Sequence, residues 1–365
     1  MKILIVSDAW FPQVNGVVRT LDTIRREVEK LGHVVEMVTP DQFRTFPCPT
    51  YPEIRLALFQ ASTIARKIDD FAPDAIHIST EGPLGQAARR VCLRRNLPFT
   101  TAYHTRFPEY IHARFRVPLS LTYRLMRRFH APSKGIMVAT PSVRKDLEDR
   151  HFAPCVPLSR GVDLAQFKPG QKGLLDDPQP ILLYVGRVAV EKNLDGFLSL
   201  DLPGTKYVVG DGPSLEAMRE KYPKVRFLGA RHGEDLAAIY AAADVFVFPS
   251  LTDTFGLVLL EALASGLPIA AFPVTGPRDV LAGHYCSADA PDPDSVGCLD
   301  KDLKRAVECA LTLKPENCLA YAKTFSWARV AQQFVDNLAQ VHDPVAEPVP
   351  ASEPGERSGV SFERA

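Results

Sequence analysis

Short runs rich in Val, Ile and Phe alternate along the chain with longer segments in which apolar residues recur every three to four positions. This alternation predicts parallel strands covered by helices on both faces. In the first half the strands fall at Ile3–Ser7, Val34–Val38, Ala75–Ile78, Phe99–Ala102 and Ile136–Ala139. A second set falls at Ile181–Val185, Lys206–Val209, Val225–Leu228, Val245–Phe248 and Pro268–Ala271. Helices are expected at Val17–Leu31, Pro83–Arg95, Glu234–Ala242 and Leu257–Ala264, each bounded by Gly, Pro or a capping residue. The chain is therefore expected to form two similar α/β domains in tandem, residues 1–163 and 164–325. The Gly-, Pro- and Asp-containing stretch Gly161–Pro180 is the linker. Three helical segments close the second set. The last, residues 326–342, has Trp327, Val330, Ala331, Phe334, Val335 and Leu338 at helical spacing. Residues 343–365 turn to Pro, Glu and Ser without periodicity, the composition of a disordered tail.

With 365 residues the chain is too long for one ordinary hydrophobic core, which agrees with two domains. Hydrophobic residues at 46% and charged residues at 24% exclude wholesale disorder. Lys and Arg total 43, as do Asp and Glu, which argues against a generic nucleic-acid or membrane-surface binder. The balance is uneven, however. Residues 1–165 hold 24 basic against 16 acidic side chains, and residues 166–365 hold 19 against 27. From Gln86 to His130 there are ten arginines, no lysine and one carboxylate, Glu109. On a helix from Val117 to His130, Leu121, Leu125, Met126 and Phe129 line one side, and Arg124, Arg127 and Arg128 fall on the opposite arc. Two readings fit and are compatible: a helix lying at an anionic lipid surface, and a surface helix docking its apolar side on the core.

The seven cysteines are scattered, with no C-x-x-C pair, and are expected as reduced thiols in a cytosolic protein. Met1–Ser7 is a first strand and not a signal core, since Asp8 interrupts it and no small-residue cleavage site follows. The longest apolar stretch, Ala262 to Pro277, contains three prolines, so no membrane span is expected. The D-x-D at Asp292-Pro293-Asp294 lies in a Pro-rich loop. No His-x-x-x-His or sequence-clustered Cys/His arrangement appears, so no metal is expected.

Three loops carry candidate chemistry. The turn from Asp8 to Arg19, with Asn15-Gly16 opening a helix, leaves backbone N–H groups free for an anion; an ordinary βα turn explains it equally well. Gly186-Arg187 with Lys192 again follows a strand and precedes a helix. There the two cations could converge on a phosphate pair, or stand solvated on a loop. In Pro249 to Ala262 a strand ends, a polar loop follows and a helix begins at Phe255-Gly256. Glu261 sits inside that helix among Leu259, Leu260 and Leu263, where an unpaired carboxylate would be costly; a hydroxyl pair such as a ribose offers would satisfy it.

The run Asp253 to Glu261 closely resembles the E-x7-E motif of the retaining glycosyltransferases of family 4. The Gly16 turn, His104 in Thr101–Thr105, Ser159-Arg160-Gly161-Val162-Asp163, Gly186-Arg187 with Lys192, Gly210-Asp211-Gly212-Pro213 and Ala242-Ala243-Asp244 follow in the family's order. The resemblance implies the GT-B fold: two Rossmann-like domains facing across a cleft, with the C-terminal helix returning to the first. It implies that Arg187 and Lys192 grip the diphosphate of a nucleotide sugar, that Glu261 binds the ribose, and that Thr254, Phe255 and Gly256 support sugar and phosphate. Catalytic positions fall on His104, across the cleft, and on Asp253, which stands where the family usually has glutamate. Gly16 would let the N-terminal loop approach donor and acceptor. The implied reaction is a metal-independent, front-face transfer with retention.

Thr80-Glu81-Gly82-Pro83-Leu84-Gly85, Tyr103–Tyr110 and Thr252–Gly256 are similar to a bacterial branch that moves glucose or glucuronic acid from a UDP-sugar to diacylglycerol, and to proteins described as α-mannosyltransferases. From this follow a UDP-sugar donor, with GDP-mannose as the alternative, and a membrane-lipid acceptor. Glu81, Arg124, Arg127 and Arg128 become acceptor or membrane contacts, and the protein is expected peripherally on the inner face of the cytoplasmic membrane. A sugar-nucleotide epimerase and a nucleic-acid binder are the remote alternatives; a phosphorylase is weaker still, since no lysine stands out for pyridoxal.

Overall fold

The computed structural model describes residues 1–341 apart from 14–15, 49–50, 59, 153, 252 and 254. The expected tail at 343–365, and Asn15, Thr252 and Thr254, lie outside the described residues. The strands of the first half are β1 (Lys2–Val6), β2 (Val34–Val38), β3 (Thr45–Cys48), β4 (Tyr51–Ala57), β5 (Ala75–Ile78), β6 (Thr100–Tyr103), β7 (Ile136–Val138) and β8 (Cys155–Pro157). Those of the second are β9 (Ile181–Val185), β10 (Thr205–Val209), β11 (Arg226–Gly229), β12 (Val245–Phe248), β13 (Ile269–Ala271) and β14 (Gly297–Leu299).

The helices are α1 (Gly16–Lys30), α2 (Gln60–Phe71), α3 (Pro83–Arg94), α4 (Phe107–Phe115), α5 (Leu119–His130), α6 (Pro141–Asp149), α7 (Asp195–Leu198), α8 (Leu215–Lys221) and α9 (Gly233–Ala242). Then come α10 (Leu257–Ala264), α11 (Thr275–Leu281), α12 (Leu303–Ala310), α13 (Pro315–Ala322) and α14 (Trp327–Asp336).

Two parallel six-stranded sheets result, ordered β2-β1-β5-β6-β7-β8 and β11-β10-β9-β12-β13-β14. Strands buried on both faces explain the continuous apolar runs: Ile3, Leu4, Ile5 and Val6 are all at 0% exposure. In each sheet the order reverses once, between β1 and β5 and between β9 and β12. Crevices that receive ligands open there, at the carboxyl ends of the strands.

The β3–β4 hairpin, paired from Thr45↔Ala57 onward, was not expected. Pro47, Pro49 and Pro52 read as breakers, and prolines are tolerated in so isolated a two-stranded unit. Strands β8 and β14, at the edges of the two sheets, were not expected either. Helix α5 begins at Leu119, two residues later than expected, because Pro118 occupies the N-cap.

Helix α14 leaves the second domain and packs on the first. Val330, Ala331, Phe334 and Leu338 share one core with Ile3, Ile5, Ile24, Val28 and Ala75. Beyond it the chain stays on that domain, where the Val341 N–H donates to the Asp74 carbonyl at 2.6 Å. Phe334 is fully buried, so Phe334→Ala should lower stability by about 3–5 kcal/mol, read as a fall in the urea midpoint. An unchanged midpoint would mean that α14 is not docked.

Candidate active site

The crevice between β9 and β12 is built from the loops that follow those strands. After β9 the Tyr184 hydroxyl donates to the Arg187 carbonyl at 2.9 Å and fixes the turn, leaving Arg187 exposed at the surface. The chain then makes a single 3-10 turn, Val190–Lys192, closed by Asn193 in the left-handed region. The Asn193 amide donates to the Pro249 carbonyl at 3.1 Å, tying this loop to the one after β12. That tie sets Lys192 against Asp253, with Nζ–Oδ1 at 2.5 Å. Asp253 Oδ2 and Ser250 Oγ are buried without a hydrogen-bond partner among the described residues, so the crevice holds acceptor capacity that those residues do not use.

Gly256, at φ +85°, forms the N-cap of α10, and Phe255 beside it is buried in the second-domain core. Glu261, one turn into α10, is 4% exposed. Its Oε2 accepts from the Tyr240 hydroxyl at 3.0 Å and its Oε1 from Arg19 Nη2 at 2.8 Å. The expected hydroxyl partner is thus supplied in part by Tyr240. The other partner is a cation from α1 of the opposite domain. Arg19 lay in the first candidate loop but carried no assignment, because sequence does not show which residues meet across a cleft. A Cβ placed on Gly16 would meet only Leu257 Cδ1, at 3.9 Å, so the starts of α1 and α10 face each other; the protein's own packing does not demand glycine there. A second contact between the domains is made by Ser142, whose hydroxyl and amide donate to Asp279 at 2.7 and 3.3 Å.

On the first domain Asp8, at the end of β1, reaches the start of α3. It accepts from the amides of Leu84 and Gly85 and from the Thr80 hydroxyl, at 2.8, 3.2 and 2.8 Å. A Cβ at Gly82 would lie 2.4 Å from the Asp8 carboxyl carbon. Much of the Thr80–Gly85 run is therefore a receptacle for one carboxylate at the N-terminus of a helix. Glu81 in the same run lies within hydrogen-bond distance of His130, Oε1 to Nε2 at 3.3 Å, and His130 Nδ1 lies 2.9 Å from Thr101 Oγ1.

His104 follows β6. Arg160 donates from Nη2 to His104 Nδ1 at 3.0 Å and from Nη1 to the Leu158 and Ser159 carbonyls. Arginine can only donate, so Nδ1 is the lone-pair nitrogen and the neutral ring carries its proton on Nε2. That Nε2 is buried and has no partner among the described residues. Burial first, then the Arg160 charge, pushes His104 well below the usual histidine range. Burial also lowers Arg160, to about 10. Fully buried His77 is pushed down to about 3 by desolvation. Arg160 was quoted in the Ser159–Asp163 run without a role; only the fold brings it to His104.

The basic helix differs from the expectation in one respect. Thr122, Tyr123, Met126, Phe129 and His130 form its buried face, so the expected inward stripe splits: Met126 and Phe129 pack inside, while Leu121 and Leu125 are 46% and 58% exposed. They share the outer face with Arg124, Arg127 and Arg128, and Phe107 and Phe115 of α4 are also exposed. Helical stepping misled because the residues nearest the core are those touching Glu109 and Phe152: the Tyr123 hydroxyl donates to Glu109 at 2.5 Å, and its ring meets Phe152 edge-on. Arg127 is tied back by donating to the Arg150 carbonyl at 3.0 Å.

His77 and His104 bind protons in the unfolded chain below about pH 6.5 but not in the folded one, so their contribution to stability is present above that pH and lost below it. The urea midpoint should fall between pH 7 and 5, with a slope approaching about 1.4 kcal/mol per pH unit for each histidine. His104→Gln should remove about half of that slope, and a slope unaltered by the substitution would contradict the assignment.

The comparisons with known proteins agree with this geometry. The profile described as Glycosyltransferase Family 4 matches residues 14–166, and that described as Glycosyl transferases group 1 matches residues 179–296. A GDP-mannose-dependent alpha-mannosyltransferase of Mycobacterium tuberculosis is 27% identical over 93% of this chain and 97% of that protein. An alpha-monoglucosyldiacylglycerol synthase of Streptococcus pneumoniae is 28% identical over 74% of this chain and 71% of that protein. Among solved structures, a sucrose-phosphate synthase from Thermosynechococcus elongatus superposes with a TM-score of 0.70 over 92% of this chain and 97% of that one, at 21% identity.

Proposed function

Because the chain belongs to the family 4 glycosyltransferases and is a hexosyltransferase of GT-B fold, we propose that it moves a hexose or hexuronic acid, with retention and without a metal, from a UDP-sugar to a hydroxyl of a membrane lipid such as diacylglycerol. The observation that carries the donor half is the crevice at the sheet reversal, where Asn193 ties together the loops that carry Lys192 and Asp253, with Glu261 beside them on α10. Lys192 and Arg187 meet the developing charge on the departing diphosphate, where a fixed cation in a water-poor site lowers the barrier. Asp253, released from Lys192 by the incoming phosphates, receives sugar hydroxyls on its unpartnered oxygen. The His104 Nε2–H donates to the sugar, and Gly256 bounds the sugar pocket. Glu261 exchanges Arg19 for the ribose hydroxyls. The departing phosphate takes the acceptor proton, so no carboxylate nucleophile is needed.

The acceptor half rests on α5. Exposed leucines beside exposed arginines suit the headgroup region of an anionic bilayer, and no helix among the described residues is long and apolar enough to cross one. Glu81 links this helix, through His130, to the crevice beside β5. The protein would sit peripherally on the inner face of the cytoplasmic membrane. The similarity to a GDP-mannose-dependent enzyme supports a second reading, α-mannosyl transfer to a lipid or glycan.

A donor screen measuring UDP and GDP release, with a membrane lipid extract as acceptor, separates the two readings. Labelled glycolipid formed from a UDP-sugar is the expected result, and label confined to water-soluble product excludes a lipid acceptor. Lys192→Ala and Glu261→Ala should each lower kcat/KM by roughly 100-fold or more while the chain stays folded, and full activity in both would refute the site. The pair Arg124→Gln and Arg128→Gln should weaken partitioning onto anionic vesicles roughly 30-fold at low salt, from about 1 kcal/mol per cation. Sedimentation with vesicles reads this, and unchanged partitioning would remove α5 from the membrane.

A further inference from the structure

Cys286, Cys298 and Cys309 stand 12 and 11 positions apart in sequence, yet their sulfur atoms all lie within 4.8 Å of one another. Two of them are set by the sheet. Cys286 and Cys298 are partners across a parallel bridge, with the Cys286 amide donating to Gly297 and the Leu299 amide donating back to Cys286. Parallel partners share a face, so both thiols point the same way. Helix α12, packed on β13 and β14, brings the third thiol from its last turn. Cys286 Sγ and Cys309 Sγ stand 3.5 Å apart.

Thiolates about 2.3 Å from a common ion stand roughly 3.8–4.0 Å from one another in tetrahedral or trigonal geometry, which falls inside the spread found here. A disulfide would require two of the sulfurs to close to about 2.05 Å and would leave the third with no function. The trio also has a way in. Cys309 lies in the wall of a surface depression of about 300 Å³, beside Arg305 and Glu308, whereas Cys298 is fully buried behind it. The cluster sits on the outermost strand of the second sheet, two strands beyond β12 and apart from the donor crevice.

We propose that Cys286, Cys298 and Cys309 bind one thiophilic d10 cation, Zn2+ by preference, through three thiolates, with a fourth position open to a ligand from the depression. Binding exchanges three S–H bonds for three S–metal bonds and releases three protons to the buffer. Three protein ligands with an open position differ from the four-ligand pattern of closed structural zinc sites, so a small external ligand completes the shell.

The test uses the full-length, reduced, metal-free chain, titrated with Cd2+ as a spectroscopic probe and with Zn2+ in native mass spectrometry. A sulfur-to-cadmium charge-transfer band saturating at one ion per chain is expected, with a mass increase of one Zn2+. Cys309→Ser, at the rim, should weaken binding at least about 10-fold and remove about a third of the band. Cys318→Ser, buried outside the cluster, should leave both unchanged. Circular dichroism confirms that each variant is folded. Absence of the band, affinity unchanged from the parent chain in Cys309→Ser and Cys286→Ser, or a Cys286–Cys309 disulfide formed by mild hydrogen peroxide in a chain that takes up no metal when reduced would each overturn the proposal.

Discussion

The chain crosses between its domains twice at one place, and the geometry of the cleft follows from that double crossing. On the way out, the Val162 amide donates to Phe325 on the returning segment at 3.0 Å, and Gly161 packs so closely on Trp327 that a Cβ would lie 2.6 Å from its backbone nitrogen. On the way back, Gln333 accepts from the Ser159 amide and Asn337 donates to Pro157, at 3.0 and 2.7 Å. Two chain segments bonded to each other bend less freely than one. The sheets' carboxyl ends face each other across this joint. Arg160 belongs to this crossing, so the group that orients His104 is part of the joint between the domains.

The charged side chains of the cleft show how such a site stays intact without substrate. Glu261 is buried, and an unpaired buried carboxylate is costly, so it holds Tyr240 from its own domain and Arg19 from the other. Lys192 and Asp253 neutralise each other in the same way. The basic surplus of the first half divides between two uses, since part of it is spread along the exposed face of α5 and part, Arg19 and Arg160, is turned inward to the cleft. The acidic second half supplies the counter-charge of Arg19, in Glu261, whereas Arg160 is held by His104 and two carbonyls of its own half.

Most of the two sheets was legible in the sequence because parallel strands buried on both faces are continuous apolar runs, and Ala75–Ile78, Ile181–Val185 and Val245–Phe248 coincide with observed strands. The C-terminal helix was legible for a related reason: Trp327, Val330 and Phe334 keep helical spacing. What could not be read was pairing at a distance. Arg19, Tyr240 and Arg160 meet their partners across the cleft or between elements, and nothing local marks them. The three cysteines were scattered in sequence and adjacent in space for the same reason, since a β-bridge and a helix turn bring them together. The face of α5 was misjudged because the aromatic and polar contacts of Tyr123 and His130 outweigh the aliphatic stripe.

Ile3, Ile5, Ile24 and Ala75 are made in the first quarter of the chain, but the side chains that seal them, Val330, Phe334 and Leu338, come near its end. During synthesis the first sheet therefore emerges with one face of its core open. It cannot complete that core until the second domain has been made behind it. The usual order in which an N-terminal domain finishes first is thus reversed for this layer. The second domain, whose core draws mainly on its own strands and helices, is the unit that can close on its own contacts.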